Sequence, residues 1–255
     1  MGARNAYTHL LALSAKTPNE LQHRLGHLFG RILYTEKGAD GFAVCTDELF
    51  GGCQHELLAQ AVADKGTSVI TSLDSACISN LGKGHEITCE HGLGHGLIQY
   101  FGYSFSNLVT SLHTCSTLKS EHQTKGCFGG VLMEYNLHTM SDVHERPATA
   151  SNLYSPCEKL EPVYTAACYF WLPQWWYKAK IKETALSRRF EEVGSLCLKA
   201  LTPNARASCF EGIGYGGTPL VEFDREKTIQ LCHNASHGNS LYEKKCWDEA
   251  SLAVH

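Results

Sequence analysis

The apolar positions of this chain follow a helical period. Gly92, Leu93, Gly94, Gly96, Leu97 and Ile98 form one run of small and apolar residues, and Ser106 to Leu112 predicts a second helix behind it. Strand-period alternation is scarce, which argues against a β-rich fold. The same two-helix unit recurs along the chain. Helices this short cannot bury an apolar face alone, so neighbouring units must stack. The expectation is an all-α fold of repeated helical hairpins, about seven units of ~38 residues, running as one domain over residues 1–255. Such units build an α-solenoid or, if the array closes, an α/α toroid.

Cysteine spacing sets the frame of the repeat. The twelve cysteines fall into Cys45/Cys53, Cys77/Cys89, Cys115/Cys127, Cys157/Cys168, Cys197/Cys209 and Cys232/Cys246. An even count at regular spacing predicts six disulfides inside repeats, each pinning the end of one helix to the start of the next. Each would close a short loop, worth ~2–3 kcal/mol in the chain-entropy model. The C-x2-C spacing of four-thiolate zinc sites is absent. Disulfides imply an oxidising, extracytoplasmic or secreted setting. Residues 1–16 lack the apolar run of a signal peptide, so a processed chain with an added start Met is expected.

Aligned on the second cysteine, the units read Cys53-QHELLAQ, Cys89-EHGLGHG, Cys127-FGGVLME, Cys168-YFWLPQW, Cys209-FEGIGYG and Cys246-WDEASLA, and Leu21-QHRLGHL is an N-terminal copy with Leu21 in the cysteine's place. Two positions on stand His23, His55, His91, Gly129, Phe170, Glu211 and Asp248. Six positions on stand His27, Ala59, His95, Met133, Gln174, Tyr215 and Leu252. The two slots are i and i+4, one turn apart on the same helix face. If successive repeats curve tightly, His23, His27, His55, His91 and His95 converge. Two His-x-x-x-His helices with a fifth imidazole between them form a ligand pattern for a transition metal. The zincin signature is absent, since His55-Glu56 leads to Ala59 and not to histidine.

Imidazole ligands without thiolates, in an oxidising compartment, suit copper first and zinc or iron next. The favoured reading is a metal-dependent oxidoreductase. Glu211 is the candidate acid/base group or added ligand, Asp248 a further oxygen donor, and Tyr215 or Tyr100 a substrate or supporting contact. A zinc hydrolase, with Glu211 as base, is the alternative within enzymes. A metal- or peptide-binding module and a plain structural scaffold are the non-enzymatic readings. The partner would be a small-molecule or peptide substrate. A net charge of −4 makes no case for nucleic acid, and no segment reaches the ~18 apolar residues of a membrane span.

Other features are less specific. The alternating glycines read as close helix packing or as clearance for a ligand. Phe170, Trp171, Trp175, Trp176 and Tyr177 read as core or as a substrate wall. The polar segment 136–156, with His138, Met140, Asp142, His144, Glu145 and Arg146, reads as a connection that could cover the concave face. His233 and His237 lie out of register and read as surface or capping residues. The pattern Cys89-EHGLGHG, with Cys53-QHE and His23-RLGH in the same register, resembles uncharacterised bacterial extracytoplasmic Cys/His repeat proteins. The resemblance implies helical repeats and an extracytoplasmic setting, and brings no activity with it. Gly129, Phe170, Glu211 and Asp248 depart from histidine at the shared slot, which implies one specialised site, not a metal in every repeat.

Overall fold

The computed structural model of the chain describes residues 2–82, 85–118, 122–139, 145–181 and 185–252. Among these residues it holds twelve α-helices joined by turns and short 3₁₀ segments, with no strand. All six disulfides form between the cysteines that the spacing pairs. No described helix is long and apolar enough to cross a membrane.

Contacts divide the chain into two compact units. The first runs to Tyr135 and includes Thr139; the second takes Asn136 to His138 and the described residues beyond 144. The first contains α1 (Ala3–Ser14), α2 (Asn19–Lys37), α3 (Gly52–Lys65), α4 (Ile70–Leu81), α5 (Glu86–Phe101), α6 (Phe105–Cys115) and most of α7 (Cys127–Leu137). The second contains α8 (Pro162–Ala179), α9 (Leu186–Leu198), α10 (Pro203–Gly217), α11 (Arg225–Ser236) and α12 (Ser240–Ala250).

Glycine ends several helices of the first unit. Gly66, Gly82 and Gly102 follow α3, α4 and α5 with φ of 72°, 95° and 95°, and their N–H groups bond back to Val62, Ile78 and Ile98. Only glycine enters that region without strain, so each is a stop signal. Side chains start several others: Ser104, Thr202, Asp224 and Asn239 cap α6, α10, α11 and α12.

Within the first unit α2 packs on α3 and α3 on α5, while α4 and α6 flank α5. The interior glycines bring these helices close. A Cβ on Gly92 would lie 2.9 Å from the His55 Cα, and one on Gly96 2.7 Å from the Ala59 carbonyl oxygen and the Val62 Cβ. A Cβ on Gly130 of α7 would run into the His91 carbonyl of α5. The glycines thus serve backbone-to-backbone packing. They bring the histidine-bearing faces of α2, α3 and α5 together. Leu57, Leu58, Val62, Leu93, Leu97 and Ile98 are fully buried between them, each worth about 1.5–3 kcal/mol of transfer free energy.

In the second unit α10 packs on α8 and on α12. Its core is aromatic: Phe170, Trp171, Trp175, Trp176 and Tyr177 are buried, so they are core and not a substrate wall. The Trp175 and Trp176 indole N–H groups donate to the Arg146 and Leu153 carbonyls, and the Arg146 guanidinium lies 3.9 Å over the Trp175 ring. The stretch from Arg146 to Leu153 is therefore tied to this core. Met140, Asp142 and His144 lie outside the described residues. His237 caps α11 and bonds Ser195, while His233 is an exposed partner of Glu243.

Candidate metal centre

His23 and His27 lie one turn apart on α2, with ring centres 4.4 Å apart. The His23 Nδ1–H donates to the Leu49 carbonyl at 3.3 Å, and the His27 Nδ1–H to Glu56 Oε2 at 3.2 Å. Neither acceptor carries a proton, because Glu56 is held below the usual carboxylate range. Its complete burial opposes that shift and is outweighed by the His27 and Arg31 contacts. With both Nδ1 atoms facing acceptors, the two Nε2 atoms point at each other, 2.9 Å apart. Burial, then the neighbouring His27, pulls His23 down to about 3, and burial also lowers His27, so neither ring is charged at pH 7. Two neutral imidazoles this close can share an N–H proton or offer a common site to a metal ion.

His55 on α3 completes this end. Its ring centre is 5.6 Å from that of His23 and 6.0 Å from that of His27, and one nitrogen from each of the three lies within 4.8 Å of the others. On its other side are His91 and His95 of α5, 5.2 Å and 6.4 Å away, with ring centres 4.8 Å apart. The His91 Nδ1–H donates to the Lys125 carbonyl at 2.7 Å and the His95 Nδ1–H to Glu134 Oε2 at 3.2 Å. Burial and the other imidazoles hold His55 and His91 well below 6.5, so both are neutral at pH 7.

The support behind the rings is built twice. In each His-x-x-x-His pair the first histidine is held by a loop carbonyl, Leu49 or Lys125, and the second by a buried carboxylate from a neighbouring helix, Glu56 or Glu134. Each carboxylate is itself fixed. Glu56 accepts from Arg31 at 2.8 Å and Gln60 at 2.9 Å; Glu134 accepts from Tyr103 and from Thr139, both at 2.6 Å. Burial would raise the Glu134 pKa, but these donors together with His95 bring it to about 2. A carboxylate on Nδ1 fixes the tautomer, turns Nε2 outward and raises its basicity, as in metal-ligating histidines generally.

Backbone strain also enters the site. Leu49, Phe50 and Gly51 are consecutive left-handed residues, with φ of 56°, 54° and 71°. For Leu49 and Phe50 this costs on the order of 1–3 kcal/mol each. The turn carries the carbonyl that holds His23 and places Gly51 where a Cβ would come within 3.1 Å of His55 Nε2. Beside it opens a groove of about 330 Å³ lined in part by Gln22, Asp47, Glu48, Leu49 and Phe50.

The five histidines singled out by register are thus brought together. Glu211 and Tyr215 belong to the second unit, where Glu211 Oε1 accepts from Lys245 Nζ at 2.8 Å and Tyr215 rests on Phe170 and Trp171. Asp248 pairs with Lys244 on the exposed face of α12. Tyr100 is half-exposed beside Gly66. The carboxylates that touch the histidines are Glu56 and Glu134, which register reasoning passed over. One signal was present: Glu134 is a lone charge in the apolar run Phe128 to Leu137, and a charge so placed is buried with a partner. No protein-family model, curated protein or solved structure matches the chain.

Proposed function

We propose that the first unit is a transition-metal centre ligated by His23, His27 and His55, with His91 and His95 in the same cluster, and that it serves redox chemistry in an oxidising compartment. The observation that carries the reading is the 2.9 Å approach of two Nε2 atoms whose Nδ1–H groups are both committed elsewhere. Bonds of ~2.0–2.1 Å from both Nε2 atoms would reach one transition-metal ion at that separation, and imidazole ligation favours copper by affinity.

A hydrolase fits less well. It needs a carboxylate base beside an activated water, and Glu56 and Glu134 are both engaged as supports behind the rings. Copper would supply one-electron chemistry with dioxygen as acceptor. The chain holds four of the imidazoles in fixed orientation through their Nδ1 contacts. Stacked disulfide-pinned hairpins, as in an α-solenoid, form the scaffold within the unit. The second reading is a non-catalytic metal carrier, favoured by the burial of His91 and His95, 7% and 1% exposed.

The test is elemental analysis by plasma mass spectrometry on untagged protein, as purified and after reconstitution with Cu(II), Zn(II) or Fe(II), alongside a His23→Ala/His27→Ala variant. Stoichiometric copper that the variant loses supports the reading, and oxygen consumption with reducing substrates then separates enzyme from carrier. Tight zinc in preference to copper refutes the redox assignment. Absence of any metal after reconstitution refutes the centre.

A further inference from the structure

We infer that the cluster holds two metal ions, one at each His-x-x-x-His pair, and that His55 bridges them as an imidazolate. This rests on the reading of the histidines as a metal centre and adds its nuclearity. Three observations carry it. First, the supporting contacts occur as two matched sets: a carbonyl and a carboxylate behind His23 and His27, and a carbonyl and a carboxylate behind His91 and His95. Each set orients one pair of imidazoles, so the cluster offers two prepared ligand pairs. Second, His55 stands between the pairs, its ring centre 5.6 Å from His23 and 5.2 Å from His91. Third, His55 is supported differently from the other four. Their Nδ1 atoms are all hydrogen-bonded, whereas the Nδ1 of His55 is buried with no hydrogen-bond partner.

A buried ring nitrogen without a partner is costly. The cost vanishes if that nitrogen is a ligand. The Nε2 of His55 faces Gly51, on the side of the turn that holds His23. Its Nδ1 is then the atom left for the His91 and His95 side. When both nitrogens ligate, the remaining ring N–H proton leaves to solvent and the bridge is an imidazolate. The balance is two divalent ions bound and one proton released from His55, with no change of oxidation state. Two bonds of ~2.0–2.1 Å plus the width of the ring set the ions about 6 Å apart. Glu56 and Glu134 stand one behind each half.

The experiment uses the full untagged chain loaded with Cu(II) alone, desalted and analysed for copper per chain, with its spin signal integrated at low temperature. The expected result is two copper ions per chain and an integrated signal well below two equivalents, because the imidazolate couples the spins. His55→Gln should retain copper more weakly and restore a full-intensity signal. His91→Ala/His95→Ala should bind one copper with an uncoupled signal, which keeps the test decisive if His55→Gln fails to fold. One copper per wild-type chain, or two with full uncoupled intensity, overturns the bridge while leaving a metal centre. No copper at all overturns the metal-centre reading itself.

Discussion

Gly96→Ala separates helix propensity from helix packing. In the interior of α5 the change to alanine is worth a gain of about 1 kcal/mol by propensity alone. Packing opposes it. The added Cβ would stand 2.7 Å from the Ala59 carbonyl oxygen, 2.7 Å from the Val62 Cβ and 2.9 Å from the Ala59 Cα, all on α3. Ordinary contact begins near 3.4 Å, so α3 and α5 must separate locally by about 0.7 Å (3.4 − 2.7). Two of the three atoms are main chain and cannot rotate away. Overpacking of this kind costs about 1–3 kcal/mol, so the net effect is a loss of up to about 2 kcal/mol. The shift falls between His95, which precedes Gly96, and His55, one turn before Ala59. It exceeds the ~0.5 Å within which a binding constellation must be held. Copper affinity should fall at least tenfold. Urea unfolding with linear extrapolation and competitive metal titration measure the two effects. Gly216→Ala is the control, because the three atoms nearest its Cβ all belong to the Gln174 side chain, which can move. A Gly96→Ala protein that is more stable than wild type, with unchanged copper affinity, would refute the packing argument.

Other outcomes follow from the same contacts. Glu134→Gln removes the charge behind His95 and should lower metal affinity about 10–100-fold, measured by competition with a chelator of known affinity. The metal-free protein should lose stability as pH falls from 6.5 towards 3. The unfolded chain takes up protons near 6.5 that His23 refuses until about 3, and Glu134, at about 2, adds a further loss below about 4.5. Thermal unfolding across that range checks the sign, and a melting temperature that rises on acidification contradicts it. Glu211→Gln breaks a half-exposed pair with Lys245 and should change stability by less than about 1 kcal/mol in the same unfolding assay. Gly51→Ala adds strain to a left-handed turn and crowds His55 Nε2, so it should weaken metal binding more than it lowers the melting temperature.

Repetition decided which parts of this architecture could be read in advance. A covalent bond between residues 8 to 14 positions apart is a local event, so cysteine spacing predicts all six bridges. Histidine register is also local, because i and i+4 share a face whatever the helix packs against. Glu56 and Glu134 meet His27 and His95 across 29 and 39 residues of chain, from helices whose relative depth is set by glycine contacts. No alignment of slots gives that depth. Glu211 shares the histidine slot, yet Lys245 of α12 stands 2.8 Å away and takes the carboxylate. The second unit shows what the slots themselves provide. Phe170 occupies the position of His55 in its repeat and Tyr215 that of His95 in the next, and their rings meet at 5.4 Å where the imidazoles stand 6.4 Å apart. Helix packing thus brings these two positions together in both units. Aromatic side chains there give core, while imidazoles there are oriented by buried acceptors. On the proposed reading, metal binding depends on the acceptors as much as on the histidines.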